Sequence, residues 1–425
     1  MLAVAMPLQA QQAGSQSEQS RQEELRKKRE QRKANLTPYD TSTGEKRVLW
    51  WETNRFKAFT KGYKGIRPVI GGMDDPVVFG AVSSGSGLVG GIGYQRGLDS
   101  QDFRFSIDAR YSTKQYESLE ALAEFPTPRS DSPVQAYLEA AYRDYKEINF
   151  FGLGPDSSPE TDSTFRIEDR RFGGGLRFFP NRAFFLETGW ARLNTHLLPG
   201  PDESGEVSAF DIERAGDLEV LRGRRAPEYD IYGGTFGFNF FDREYPEVGA
   251  GIAIGVERFD DRKDDLFNFT KISADFSTEI PLKYRNRRIA FKIRTVHHMP
   301  DAGNNVPFYM LETIGGGTTF RGFSDYRFRD RRYLLMNLEY RWEAWTYADF
   351  AIFADGGKVF RRARDLDFTD LEAGYGFGIL IRTPFEGRLG RYGRLRIDIA
   401  NSREGFRFYI GSGPAFGRRH PPRVK

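Results

Sequence analysis

Apolar and polar residues alternate one by one along most of this chain from about Ile66 onward. The same period-two pattern recurs in KISADFSTEI, RIAFKIRT and RLRIDIA. Because successive side chains of a β-strand point to opposite faces, the pattern predicts strands with one apolar and one polar face. In the stretch FRFSIDARY the predicted apolar face consists of Phe103, Phe105, Ile107, Ala109 and Tyr111.

The predicted strands are long, and the connections between them alternate in length. The alternation lasts nine to twelve residues, whereas strands of soluble proteins usually run about five or six. A tilted strand needs about 9–11 residues to cross a bilayer. Tight turns such as FFPNRAFF alternate with long connections, such as residues 198–228 and 300–330. Short turns at one end and long loops at the other are typical of outer-membrane barrels, which turn apolar residues to lipid and charges to the lumen.

The number of alternating runs indicates the size of the barrel. About 11 runs precede the Gly315 segment and 5 follow it. The predicted fold is therefore all-β, a transmembrane antiparallel β-barrel of about 16 strands, with a long connection before the last five. These five predicted strands span residues 333–342, 346–355, 374–382, 391–401 and 406–411.

Composition narrows the function classes. The 425 residues are 15% aromatic, which does not fit a disordered chain. The sequence contains no run of about 20 apolar residues, so it predicts no transmembrane helix. The absence of cysteine excludes thiol catalysis, disulfides and thiolate metal sites. The 63 basic residues nearly match the 59 acidic ones and are not gathered in one place, so we expect no nucleic-acid partner.

The N-terminus differs from the rest of the chain. Its first residues, MLAVAMPLQA, are typical of the end of a secretory signal peptide, with cleavage expected after Ala10. The predicted organisation is a signal remnant (1–10), a charged and partly disordered periplasmic arm (11–65), the barrel (66–416) and a C-terminal tail (417–425).

One segment carries a motif. The stretch ETIGGGTTFRGFSDYRFRDRR, Glu312 to Arg332, is followed by RRYLLMNLEYRW and ADFAIFADGGKVF. These residues resemble the BamA/TamA/FhaC-like outer-membrane superfamily, also called the bacterial surface antigen family. The likeness covers about residues 66–416 and is strongest across 312–360. It implies a 16-stranded barrel that inserts, assembles or secretes proteins at the outer membrane.

The resemblance also implies a role for the motif. In that family a Gly-Gly segment and an Arg-Gly-Phe motif lie on the long loop between the eleventh and twelfth strands. That loop folds back into the lumen, where its arginine meets acidic residues of the following strands. The corresponding residues here are Gly315, Gly316, Arg321, Gly322 and Phe323.

The phasing of the next strands predicts the partner of this arginine. Period-two alternation places Asp355 in the lumen, and a guanidinium suits a bidentate carboxylate partner. We therefore expect an Arg321–Asp355 pair, with Glu339 of the preceding strand as the second choice. Phe323 is expected to pack on the inner wall, and Gly356 and Gly357 to let the loop approach the strand closely.

Two further stretches resemble the family. FFGLGPDSS (150–158) is similar to a strand-to-loop segment of its barrels. GFRFYIGSGPAF is similar to its closing strand, with Phe406, Phe408 and Ile410 on one face and a late aromatic, Phe416.

No other pattern predicts chemistry. His297 and His298 are adjacent on a strand and therefore point to opposite faces, so they cannot share one metal ion. The glycines of GSGLVGGIGYQRG are not followed by a helix pattern, so no dinucleotide loop is expected. We predict no enzyme activity, no cofactor and no metal.

Three functions remain open. The first is insertion, assembly or translocation of proteins at the outer membrane of a diderm bacterium, with client polypeptides and separate periplasmic partner proteins. The 55 residues of 11–65 are too few for the polypeptide-transport-associated domains of assembly members, so a short member is expected. The second is a passive, porin-like channel, and the third is a barrel that anchors a surface partner. All three would be surrounded by outer-membrane lipid and lipopolysaccharide.

Overall fold

The fold is described, in a computed structural model, over residues 66–70, 89–96, 102–126, 132–160, 163–181, 183–200, 226–241, 248–282, 287–345, 348–386 and 392–412. The chain divides into two units, Met1–Gly62 and Tyr63–Lys425, and every described strand belongs to the second. The predicted signal remnant, periplasmic arm and C-terminal tail lie outside the described residues, as does Phe416.

Within the described ranges, sixteen strands form one antiparallel sheet in which each strand pairs with its neighbours along the chain. A separate two-stranded ribbon, β12 with β13, lies in the connection between β11 and β14. The strands are β1 (Ile66–Ile70), β2 (Val89–Arg96), β3 (Arg104–Ser112), β4 (Glu117–Phe125), β5 (Val134–Phe150), β6 (Ser163–Phe178), β7 (Phe184–Pro199), β8 (Glu228–Asn239), β9 (Gly249–Asp261), β10 (Phe269–Pro281), β11 (Arg287–Pro300), β12 (Thr313–Ile314), β13 (Phe328–Arg329), β14 (Arg332–Trp345), β15 (Ala348–Phe360), β16 (Glu372–Glu386), β17 (Tyr392–Ser402) and β18 (Gly405–Ser412).

The two faces of the sheet differ as the alternation predicts. In β14, Leu338 is 48% exposed while the next residue, Glu339, is fully buried. In β3, Ile107 is exposed while Asp108 is fully buried. Exposed apolar side chains on one face and buried charges on the other are the arrangement of a barrel that faces lipid outward. The prediction of a transmembrane β-barrel of about 16 strands is confirmed.

The position of the long connection also matches the sequence. Eleven strands of the sheet, β1–β11, precede it and five, β14–β18, follow it. The predicted strand 346–355 continues further, to Phe360, because its pairing with β14 extends to the Arg332–Phe360 pair. The alternation of apolar and polar residues stops at Gly356 and Gly357, although the hydrogen bonds between the strands continue past them.

Aromatic side chains form a large apolar cluster beside the long connection. It gathers residues from strands β5, β6 and β8–β10 and from the connection itself. Its rings include Phe150 and Phe165, which pack against Phe308 with centroid separations of 5.0 Å. In the part of the chain described here, no helix is long and apolar enough to cross a membrane.

Candidate functional site

The long connection, residues 301–331, packs inside the barrel; we call it the inner loop. Its largest fully buried side chains are Phe308, Phe320, Arg321, Phe323 and Arg327, each at most 2% exposed. Two of these are arginines, whose charges require compensation when they are removed from water. The partners of those charges define the candidate site.

Arg321 binds Asp355 of β15 through both sides of its guanidinium. Its Nε donates to Asp355 Oδ2 at 2.7 Å and its Nη2 donates to Oδ1 at 2.6 Å. The backbone N–H of Arg321 donates to the same carboxylate at 3.1 Å. The parallel, bidentate arrangement fixes orientation as well as charge. The first-choice partner from the sequence and the loop arginine are thus in direct contact.

Glu339 of β14 contacts the same arginine. Arg321 Nη1 donates to Glu339 Oε2 at 3.0 Å. Glu339 also accepts from Arg341 Nε at 2.7 Å and from Arg396 Nη2 at 3.0 Å. Arg396 in turn binds Asp398 on β17. Three cations and their carboxylates therefore form one buried network that joins β14, β15 and β17 through the inner loop.

An aromatic ring supports the arginine from one side. The guanidinium carbon of Arg321 lies 3.5 Å from the ring centroid of Phe353 on β15. Cations attract the face of an aromatic ring, most strongly away from water. Burial alone would lower the pKa of Arg321, but Asp355 and Glu339 reverse that effect and raise the pKa above its ordinary value. The arginine is held in its charged form.

Gly322 and Phe323 place the loop against the wall. Gly322 has φ +98°, a backbone conformation that favours glycine. A Cβ at this position would lie 3.0 Å from the Asn401 carbonyl oxygen of β17, so a side chain would also crowd the wall. Phe323 is fully buried and clusters with apolar side chains of β11, β14 and β15. These are Val296, Tyr333, Leu335 and Val359.

The upstream glycines shape the turn that precedes the arginine. Gly315 and Gly316 both have positive φ, +142° and +86°. The N–H of Gly316 donates to the Phe323 carbonyl at 3.2 Å, and Thr319 Oγ1 bridges the N–H and carbonyl of Gly315 at 3.0 and 2.6 Å. The turn therefore closes back onto the residue that follows the Arg-Gly pair.

The two strand-end glycines behave differently from one another. A Cβ at Gly357 would lie 3.1 Å from side-chain atoms of both Ile314 and Phe320, so the loop does approach closely there. The expectation for Gly356 needs correction, because its nearest atom would be Met336 Cε at 3.8 Å. Adjacent strand residues face opposite sides, and only Gly357 faces the loop.

A glycine stripe on β16 belongs to the site although it is not part of the Arg-Gly-Phe motif. Gly374 pairs directly with Asp355 in the sheet, and a Cβ there would collide with the carbonyl oxygen of Arg321. Gly376 and Gly378 similarly leave room for Phe353 and for the Asp398 carboxylate. The signal is present in the sequence as GYGFG, where glycine occupies every second position of a predicted strand.

The closing strand contributes a further residue that the motifs did not identify. Phe406, Phe408 and Ile410 are 81%, 59% and 45% exposed and lie on the outward face of β18. Tyr409 faces inward, where its hydroxyl donates to the Phe323 carbonyl at 2.7 Å and accepts from the Gly322 N–H at 3.0 Å.

Further along the inner loop, Arg327 connects two other segments. Its Nε donates to Glu404 Oε1 at 2.6 Å, in the turn between β17 and β18. Its Nη1 and Nη2 donate to the hydroxyl and carbonyl of Ser157 at 2.8 and 2.6 Å. Ser157 belongs to the stretch FFGLGPDSS. Arg327 belongs to the segment Glu312 to Arg332, so two stretches that resemble the family are in direct contact.

Ahead of Arg321 in the inner loop, Glu312 shows the opposite charge pattern. Glu312 is buried and accepts from Lys271 Nζ of β10 at 3.1 Å and from Arg294 Nη2 of β11 at 2.9 Å. The Tyr333 hydroxyl also donates to it at 2.9 Å. Glu312 therefore contacts cations of the barrel wall, and Arg321, which follows it, contacts carboxylates of the wall.

Comparison with known proteins agrees with this architecture. A profile of the Omp85 superfamily domain matches residues 235–416. BamA from Haemophilus ducreyi lacking POTRA domains 1–3 is similar at 16% identity, with a TM-score of 0.57 over 82% of this chain and 70% of that chain. CdiB from Escherichia coli is similar at 12% identity, with a TM-score of 0.52 over 82% of this chain and 62% of that chain. No curated protein matches the sequence.

Proposed function

We propose that this outer-membrane β-barrel, whose residues 235–416 match the Omp85 superfamily domain, inserts, assembles or translocates polypeptides at the outer membrane. The observation that carries the proposal is the inner loop, which is latched to the wall by Arg321, Asp355 and Glu339. A loop that buried ion pairs hold inside the barrel occupies part of the interior, whereas a permanently open pore has no need of such a loop.

The same loop weighs against a passive channel. The loop fills part of the interior with buried aromatic side chains, including Phe308, Tyr309 and Phe323. A porin interior is polar and filled with water. Neither catalytic chemistry nor a cofactor is part of the proposal. Client polypeptides and separately encoded periplasmic proteins are the partners it implies, and outer-membrane lipid and lipopolysaccharide surround the exposed apolar face.

The test is deletion of the gene in its native host, followed by quantitative proteomics of the outer membrane. We expect reduced levels of a defined set of barrel or surface proteins, restored by the wild-type chain but not by the Arg321→Ala variant. Arg364→Ala is a matched control, because that arginine is 72% exposed at its side chain and touches only Asp365 among the charge partners described.

Two outcomes would favour the alternatives. Large, steady conductance in planar bilayers that Arg321→Ala leaves unchanged would indicate a passive channel. Unchanged levels of every other outer-membrane protein, together with no conductance, would indicate a barrel that anchors a surface partner.

A further inference from the structure

The hairpin of β17 and β18 is attached to the inner loop at several points, which we call the hairpin clasp. The clasp consists of Tyr409, Ser402 and Glu404 on the hairpin and of Gly322, Phe323 and Arg327 on the loop. Ser402 Oγ donates to the Gly322 carbonyl at 2.6 Å, and Arg327 holds Glu404. None of these contacts involves the Arg321 guanidinium.

The hairpin clasp holds the last strand of the described sheet, β18. In the part of the sheet that the structure describes, β18 stands at the end of the strand order and pairs with β17 alone. The contacts of this strand with the inner loop therefore attach the end of the described sheet to the interior of the barrel.

Tyr409 is placed to connect this strand to the charge network. Its hydroxyl is both a donor to Phe323 and an acceptor from Gly322, the two residues that follow Arg321. Its partner across the sheet is Asp398, whose carboxylate lies 4.0 Å from Arg321 Nη1. The ring also covers Gly317, where an added Cβ would lie 3.0 Å from Tyr409 Cβ.

We propose that Tyr409 is a positioning residue that couples the terminal strand β18 to the inner loop, so that the strand and the Arg-Gly-Phe segment are held or released together. This deepens the proposed function, on which it rests, by identifying the residue through which the latch and the end of the sheet communicate. The coupling acts through the tyrosine hydroxyl, because that oxygen alone contacts both loop residues by hydrogen bonds.

The test is hydrogen–deuterium exchange of the full chain in lipid nanodiscs. In Tyr409→Phe we expect exchange about five- to thirtyfold faster in both segments 319–324 and 405–412, as the loss of two hydrogen bonds of about 1 kcal/mol each implies. Tyr375→Phe is the matched control, because the Tyr375 hydroxyl accepts from Asn401 Nδ2 on the exposed face and does not touch the loop. The control should change neither segment.

Faster exchange in only one of the two segments, or in neither, would overturn the coupling. If Tyr409→Phe fails to fold, the wild-type chain gives an independent measurement. Exchange in segments 319–324 and 405–412 should then depend on urea concentration in the same way, because coupled segments open together. Different urea dependences of the two segments would refute the proposal.

These measurements use no client polypeptide. A negative result in the deletion experiment would remove the proposed function and leave the exchange result standing. Conversely, a loss of client proteins on deletion with uncoupled exchange would leave the function and remove the role of Tyr409.

Discussion

Arg321 and Arg329 belong to the same inner loop and both are buried, but their charges are compensated in different ways. Arg321 contacts the carboxylates of Asp355 and Glu339. Arg329 contacts the rings of Phe150, Phe165 and Phe308 at 5.8, 5.5 and 5.9 Å and donates to the Phe308 carbonyl at 2.8 Å.

The difference shows that opposite charges hold Arg321 in its site, whereas Arg329 has no carboxylate among the groups that shift its pKa. Burial lowers the pKa of Arg329 to about 10, because no carboxylate is among the groups that shift it. Burial also acts on Arg321, but its carboxylate neighbours raise the pKa instead. Arg321 is therefore irreplaceable by an apolar side chain, whereas Arg329 occupies an apolar site that a side chain of similar length would fill.

The largest effect is expected for Arg321→Met. The substitution leaves Asp355 and Glu339 buried without their shared cation, and breaking a buried pair in this way costs about 3–5 kcal/mol. Urea unfolding in lipid nanodiscs, followed by tryptophan fluorescence, measures the loss. Exposed Arg364→Met provides the baseline, and a loss of less than about 1 kcal/mol at Arg321 would contradict the charge-based account.

Gly374→Ala should come next. The new methyl group would collide with the carbonyl oxygen of Arg321 and push the loop from its carboxylate partner. Overpacking of this kind costs about 1–3 kcal/mol. The control is Gly411→Ala, where nothing lies within 4 Å of the added Cβ. Equal unfolding free energies for the two alanine variants would show that the loop does not depend on the glycine stripe.

Arg329→Met sharpens the comparison directly. A buried charge without a carboxylate partner costs free energy, and an apolar side chain of similar length removes that cost. The substitution also removes one hydrogen bond, to the Phe308 carbonyl, which contributes about 1 kcal/mol. We therefore expect the free energy of unfolding to stay within about 1 kcal/mol of wild type or to rise. A loss as large as that of Arg321→Met, under the same conditions, would mean that the aromatic site depends on the cation.

The smallest effect is expected for Asp301→Asn at the exposed edge of the inner loop. Arg258 donates to both Asp301 oxygens at 2.7 and 2.6 Å, and these hydrogen bonds lower the pKa of Asp301 below its ordinary value of 3.8. A lowered carboxyl pKa stabilises the fold above that value, and the contribution disappears as the pH falls through the folded-state pKa. We expect a difference of about a few tenths of a kcal/mol at neutral pH, reduced by salt and lost once the pH has fallen through the folded-state pKa of Asp301.

Local alternation in the sequence predicts a large part of this molecule. Strand faces follow from a period of two, so the inward positions of Glu339 and Asp355 can be assigned from the order of the residues alone. The same rule, applied to the GYGFG stretch, identifies Gly374 as an inward-facing gap.

Contacts between segments that are far apart in the sequence cannot be predicted from local alternation. Arg327 and Ser157 are 170 residues apart, and no periodicity relates them. The role of Tyr409 likewise depends on how deeply the loop enters the barrel, which side-chain packing decides. The site of Arg329 cannot be predicted from complementary charges, because its guanidinium contacts aromatic rings and a backbone carbonyl.

The partners of the inner loop are divided along the chain. Lys271 and Arg294, the cations that meet Glu312, precede the loop, whereas Glu339, Asp355 and Asp398 all follow Arg321. One short segment, from Glu312 to Arg321, therefore joins the first eleven strands to the last five through charges of opposite sign, so that a loss of either charge would separate the loop from one part of the sheet and leave it attached to the other.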